Sequence, residues 1–356
     1  MKIWIDVLTP KQALFFAPLH QSIISRGSEA MVTTRAYREA VQTLRLKKIP
    51  HKVVGKHGGG TAYGKLVASG ERVVGLARLI NAWKPDVAVS FSSPEAARVA
   101  FGLAIPHVAV NDSPHAWMVA RLSVPLSRFV CFPWIIQKKV WMDLGAKRHS
   151  LVSYRALDPA AWLKKFKPNP KVLKSMGLDK DRPIVVLRTE EAFASYLMGK
   201  ASDRAPVIAP IVEELFRLDL GIQIVVSTRY GLQAPILRKK FGDKLTLLDK
   251  IVDAASLLSL SSVFVGSGGT MTVEAALMGT LAISCYPGEK PIYIEYLERE
   301  GLIETIHSPR VVASRITDIL TNPEKYEAQR QKGRKLLDWM EDPTKTIASK
   351  VSEAGR

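Results

Sequence analysis

Acidic residues are scarce in this chain: 33 Asp and Glu stand against 51 Lys and Arg, a formal net charge of +18. A surface of that sign favours anionic partners, and nucleic acid, anionic lipid and phosphorylated small molecules all satisfy it. The lysines are spread along the chain, and there is no zinc finger, RNP-type aromatic motif or basic tail, which argues against nucleic acid. The densest cluster, Lys164, Lys165, Lys167, Lys171 and Lys174, reads as a solvated linker. Cysteine is nearly absent. Cys131 and Cys285 lie far apart in apolar, strand-like stretches, so buried free thiols are expected, and neither a disulfide nor a thiolate metal centre is. No cluster of His, Cys and acidic residues has metal-ligand spacing, and the D-x-D pair Asp179 and Asp181 lies in a charged turn before a strand. No apolar run approaches the length of a bilayer, and the first residues, MKIWIDVL, read as a strand and not as a signal peptide, so a cytoplasmic chain is expected. The dinucleotide fingerprint G-x-G-x-x-G is missing too.

What is present points to an ordered α/β protein. A 47% hydrophobic content with 24% charged residues suits buried cores, and 356 residues exceed the usual single core, so two domains are expected. Strand and helix signals alternate from start to finish, as doubly wound parallel sheets require. Strands are expected at residues 2–7, 29–33, 87–91, 107–110 and 128–132, with helices at 14–25, to about 82, and at 94–101. Prolines and lysines then interrupt the pattern over residues 161–182. It resumes with strands at 184–188, 222–227 and 245–248 and continues to about residue 325.

The most informative stretch is residues 263–287, VFVGSGGTMTVEAALMGTLAISCYP, read as buried strand, glycine turn, short helix and second buried strand. Gly266, Gly268 and Gly269 allow a sharp turn that leads into a helix N-terminus, where free N–H groups and the helix dipole suit a phosphate. Ser267 and Thr270 can add hydroxyl donors, and Glu274 can accept bonds from ribose hydroxyls. Any tight strand-to-helix turn also favours glycine, so a purely structural turn is the alternative.

The segments MKIWIDVLTPKQALFF, VVGKHGGGTAYGKL, SFSSPEAARVAFG, NDSPHA, ALDPAAWL and VGSGGTMTVEAALMGT together resemble the domain-of-unknown-function family 354, mostly archaeal proteins, over nearly the whole chain. That family is similar in fold to the GT-B sugar-nucleotide enzymes, the MurG-type glycosyltransferases and the UDP-N-acetylglucosamine 2-epimerase. The resemblance implies two Rossmann-like doubly wound parallel-sheet domains facing a central cleft: an acceptor domain over residues 1–160, a linker over 161–182 and a nucleotide-sugar domain over 183–325. It also implies that residues 326–356 form a helix returning to the first domain. By the same resemblance Ser267, Gly268 and Gly269 match the diphosphate turn, Glu274 the ribose-binding glutamate, and Lys250, Ile251 and Val252 the segment that reads uracil through backbone groups. Asp253, followed by Ser256, can instead cap a helix there. Arg188, at the end of a strand, is a candidate diphosphate partner, with an ion pair to Glu190 or Glu191 as the alternative.

This chain also departs from its relatives. Where the transferases grip the donor sugar with glutamines, it has Pro287-Gly288-Glu289-Lys290-Pro291, which leaves Glu289 and Lys290 as candidates for donor positioning. The epimerase's carboxylate-rich motif is missing in that region. Family members carry H-x-H-F-F after the first strand where this chain has Lys11-Gln12-Ala13-Leu14-Phe15-Phe16, so Lys11 or Gln12 can position a ligand but not act as base.

A general base must sit where it can reach the ligand, at the C-terminal end of a strand. Asp112 and His115 satisfy this, Asp112 having helix capping as its alternative. Glu95 is similar in position, and the helix dipole alone also explains it. His57, with three glycines after it, can contact a substrate phosphate or belong to a flexible connection. The expected chemistry is transfer of a sugar from a UDP-type donor to an acceptor hydroxyl without a cofactor or metal. A UDP-sugar epimerase and a non-catalytic nucleotide or nucleic-acid binder are the alternatives. Basic and aromatic residues interleave over Trp117, Arg121, Arg128, Trp134, Lys138, Lys139 and Trp141, which suits an anionic membrane surface.

Overall fold

The computed structural model describes residues 1–189, 206–228, 233–248 and 252–356. It divides into two units, Met1–Lys164 with Met340–Arg356, and Lys165–Trp339. Both are Rossmann-like, each with one all-parallel sheet covered by helices. The first holds β1 (Lys2–Val7), β2 (Glu29–Ala36), β3 (Lys52–Lys56), β4 (Val87–Ser90), β5 (His107–Val110), β6 (Phe129–Pro133) and β7 (Leu151–Tyr154), in the order β3-β2-β1-β4-β5-β6-β7. Among the described residues the second holds β8 (Ile184–Arg188), β9 (Gln223–Ser227), β10 (Thr246–Leu247), β11 (Val263–Gly266), β12 (Leu281–Ser284) and β13 (Ile303–Thr305), in the order β10-β9-β8-β11-β12-β13.

The central strands β4, β5, β11 and β12 are buried along their whole length, which explains why they read as mostly apolar runs instead of alternating ones. Each sheet reverses its order once, between β1 and β4 and between β8 and β11. At such a reversal the helices following the two strands diverge, and a crevice opens beyond the strand ends. The first helix of the chain, Pro10–Ser25, begins earlier than its apolar spacing suggests, because the Thr9 side chain accepts from Gln12 N–H and Pro10 fits a first turn.

The chain segment from residue 326 is shared by the two units. Helix Glu327–Trp339 stays on the second, crossing helix Thr270–Met278 so closely that a methyl group on Gly333 would come within 2.1 Å of the Ala276 carbonyl oxygen. Helix Pro343–Ala354 lies on the first, against helix Pro10–Ser25 and strands β4 to β6. No helix among the described residues is long and apolar enough to cross a membrane. Both cysteines are buried and free, and burial pushes each thiol up to about 12, which removes thiolate chemistry at neutral pH.

A buried ion pair ties the first unit together. Arg72, from helix Ala62–Trp83, donates to Asp6 on β1 at 2.5 and 3.0 Å and to the Val54 carbonyl at 3.0 Å. Thr33 donates to Asp6 as well, and Trp4 donates to Thr33. Burial works to raise the Asp6 carboxyl, but Arg72 and the hydroxyl donors hold it below its ordinary value. Arg72→Met should therefore cost about 3–5 kcal/mol in denaturant unfolding, since Asp6 is left charged and dry. A loss under about 1 kcal/mol would show that water reaches Asp6.

Candidate functional site

In the second unit the glycine turn falls at the end of β11, beside β8, where the sheet order reverses. The glycines serve different needs. A methyl group on Gly266 would approach Phe264 to 2.6 Å, and Gly268 has φ +71°, so both are required by the turn itself. At Gly269 the same methyl group would meet no protein atom within 4 Å. Gly269 is the N-cap of helix Thr270–Met278 and makes no side-chain capping bond, so the first N–H groups of that helix point from an uncapped end. Ser267 and Thr270 flank the turn half-buried.

Arg188 ends β8 at the same reversal, and its Nη1 donates to Ser227 at 3.0 Å and to the Met271 sulfur at 2.8 Å. The alternative partners Glu190 and Glu191 lie outside the described residues, as do Lys250 and Ile251. Glu274 is 3% exposed, one turn into the helix. Val252 lines a groove of about 730 Å³ with Asn169, Lys171, Thr246 and Leu248. Next to it, Asp253 caps helix Ala254–Ser259, accepting from Ser256 N–H at 3.3 Å and its hydroxyl at 2.6 Å. Beyond β12, Glu289 is exposed, whereas Lys290 is ion-paired with Glu298 at 2.8 Å.

In the first unit, Lys11 reaches from the start of helix Pro10–Ser25 across the end of β4, its ammonium 4.5 Å above the Phe91 ring. It stands 2.5 Å from Asp112 Oδ2, past β5, and 2.7 Å from Asp158 Oδ2, past β7. Asp112 does not cap the following helix: Trp117–Arg121 is capped by Ala116, without a side-chain bond. Its Oδ1 accepts instead from Ser113. Burial acts to raise the Asp112 carboxyl, and the Lys11 charge overcomes this and holds it below its ordinary value. Tyr154 donates to Asp158 Oδ1 at 2.7 Å.

The other candidates are placed apart from this cluster. Glu95 is buried with the Asp6–Arg72 pair, accepting from Ser93 at 3.2 Å and standing 3.8 Å from Arg72 Nη1. His115 is exposed. Gln12 accepts from Leu8 N–H at 2.6 Å, closing the turn into its own helix, so its carbonyl oxygen is engaged structurally. His57 stacks on Tyr37 with ring centres 5.3 Å apart and accepts from Gly59 N–H. Partial burial first, then the charges of Arg35 and Lys65, push its imidazole pKa down.

A family model described as a protein of unknown function, DUF354, matches residues 1–356. The chain belongs to this family. An uncharacterized protein of Methanocaldococcus jannaschii, MJ0665, is 31% identical over 311 residues, 86% of this chain and 88% of that one. The fold of this DUF354 chain is shared by enzymes of two kinds. One is the UDP-GlcNAc 2-epimerase of Methanocaldococcus jannaschii, with TM-score 0.69 and 14% identity, covering 99% of this chain and 100% of that one. The other is the glycosyltransferase VinC, solved with dTDP, with TM-score 0.65 and 14% identity, covering 100% and 99%. At such identities the likeness shows the GT-B-like fold.

Sequence reading missed Asp158 and Tyr154. The Asp158-Pro159 pair looks like a break between domains, whereas the structure buries Asp158 at 2% exposure against two other charged side chains. Two partners so distant in sequence leave no local spacing to read. The interleaved basic and aromatic stretch also divides. Trp141 is fully buried, while Trp117, Met118 and Leu122 are 52%, 56% and 60% exposed, with Arg121 over the Trp117 ring.

Proposed function

We propose that this chain is a glycosyltransferase that holds a UDP-type nucleotide sugar in its second unit and passes the sugar to an acceptor hydroxyl bound by its first. The observation that supports this most is the turn at Ser267, Gly268 and Gly269, which offers an uncapped helix N-terminus and open space at the reversal of the second sheet. Such a terminus stabilises a leaving diphosphate through N–H groups and the helix dipole, and Arg188 is at hand from β8. Glu274 is assigned to the ribose and Val252 to the base, with Glu289 and Lys290 near the donor sugar. Asp112 is assigned the role of base, because it lies at a strand end and Lys11 orients it.

Incubation with UDP-N-acetylglucosamine tests the reading. UDP released only when an acceptor is present supports transfer. A new sugar isomer would replace transfer by epimerisation, and binding without turnover would leave a binding protein. No group of three His, Cys, Asp or Glu side chains among the described residues could hold a metal ion, so turnover is expected to persist after exhaustive chelation. A requirement for manganese or magnesium would overturn this and return attention to Asp179 and Asp181.

The exposed Trp117, Met118, Val119 and Leu122, flanked by Arg121 and Arg128, favour an acceptor presented at an anionic lipid surface. Co-sedimentation with liposomes should rise with anionic lipid content and fall with salt. Indifference to both would remove the membrane from the proposal.

A further inference from the structure

Among the described residues the cluster around Lys11 contains one ammonium and two carboxyls, and both carboxyls are buried, Asp112 at 7% and Asp158 at 2% exposure. Two buried carboxylates against a single cation leave an uncompensated charge, which is expensive unless a proton removes it. The hydrogen bonds indicate where that proton belongs. Asp112 Oδ1 accepts from Ser113 and Oδ2 from Lys11, and Asp158 Oδ1 accepts from Tyr154. Asp158 Oδ2 lies beside Lys11 Nζ but out of hydrogen-bond alignment, and it is the buried oxygen of the pair left without a donor. The two carboxyls are in hydrogen-bonding contact with each other, so as an O–H group it would donate to Asp112 and be satisfied.

We propose that Asp158 is a positioning residue that shares one proton with Asp112 and takes over the proton that Asp112 removes from the acceptor. This rests on the reading of Asp112 as the base. Access differs between the two: Lys11 has 21% of its side chain exposed and Asp112 9%, against 1% for Asp158, so a hydroxyl reaches Asp112 and not its partner. In the transfer step the acceptor O–H bond breaks as its oxygen bonds to the anomeric carbon. The bond from that carbon to the diphosphate breaks, the diphosphate keeps the electron pair, and the proton passes to Asp112 and on to Asp158. Lys11, 2.7 Å or less from both carboxyls, keeps the charge of the group between −1 and 0 throughout.

The shared proton matches the work. Burial and the Asp112 charge push the Asp158 carboxyl up to about 7 against the pull of Lys11, whereas the Lys11 charge holds Asp112 below its ordinary value. Among the described residues the groups facing the pair are Lys11 from helix Pro10–Ser25, Ser113 beside Asp112, and Tyr154 on β7, whose hydroxyl is raised well above its usual range and stays neutral. Further out are Cys131 on β6, a neutral thiol, and Lys350 of helix Pro343–Ala354, which acts on Cys131.

The test compares the full-length wild-type chain with Asp158→Asn. Wild-type turnover should rise with pH through about 7, because the pair must be rid of its shared proton before it can accept another. In Asp158→Asn the rise should move below the ordinary carboxylate range and the plateau should drop by roughly 10–100-fold, with UDP affinity unchanged. An unaltered pH profile and plateau would overturn the proposal. Independently, carbon-13 NMR of aspartate-labelled wild type should show one carboxyl titrating near 7 that vanishes in both Asp158→Asn and Asp112→Asn. All aspartates titrating in the ordinary range would equally overturn it. If wild type binds UDP-sugar without turnover, the transferase reading falls, and the NMR titration alone decides whether the pair exists.

Discussion

Gly269→Val is expected to abolish UDP binding while leaving the fold and melting temperature almost unchanged. Gly269 has φ −89°, which valine adopts, and the added side chain meets nothing within 4 Å of its first atom. The penalty therefore falls on a diphosphate lying against the turn. Gly266→Ala is the contrasting control: its methyl group would come within 2.6 Å of Phe264, so it should lower the melting temperature whether or not a ligand binds. Glu274→Ala should weaken UDP binding by about 1–3 kcal/mol, the range for a lost hydrogen bond to a charged group. Calorimetric titration with UDP gives both numbers. Wild-type affinity in Gly269→Val and Glu274→Ala alike would sink the donor site.

The fold was legible because its central strands are buried along their whole length, mostly apolar, and separated by helix-length spacers, the pattern that parallel sheets impose. The edges were not. β3 is KVVGK, exposed at nearly every position, and β13 is only Ile303–Thr305, so neither presents an apolar signal. The glycine turn could be read as a segment because strand end, turn and helix N-terminus follow one another in consecutive residues. The reasons for its glycines could not, since Gly266 answers to Phe264 and Gly268 to backbone φ. Charged side chains were the hardest to place. Lys11 and Asp112 are 101 residues apart, and Arg72 and Asp6 are 66 apart, so their pairing depends on the sheet order. Glu95 and Asp112 look equivalent in sequence, each following a strand end, yet one stands beside Arg72 and the other beside Lys11.

Asp112→Asn should remove nearly all turnover while UDP affinity and melting temperature stay close to wild type. The asparagine side chain can still accept from Ser113, but it cannot take a proton. Stability should survive because Lys11 keeps Asp158 at 2.7 Å, and the cluster then balances one cation with one carboxylate. On that account the variant should even tolerate higher pH better than wild type. A raised carboxyl pKa in the folded chain means that the unfolded chain, with ordinary aspartate near 3.8, loses its proton first, and wild type is progressively destabilised as pH rises from about 4 to about 7. With Asp112 neutral, Asp158 becomes the sole partner of Lys11 and that loss disappears. Glu95→Gln behaves differently, because it changes the surroundings of the buried Arg72 pair and should lower the melting temperature with activity retained in the folded fraction. His115→Gln, on an exposed residue, should leave the melting temperature unchanged. Only the true base combines intact UDP binding with lost transfer, so wild-type turnover in Asp112→Asn would assign that role elsewhere.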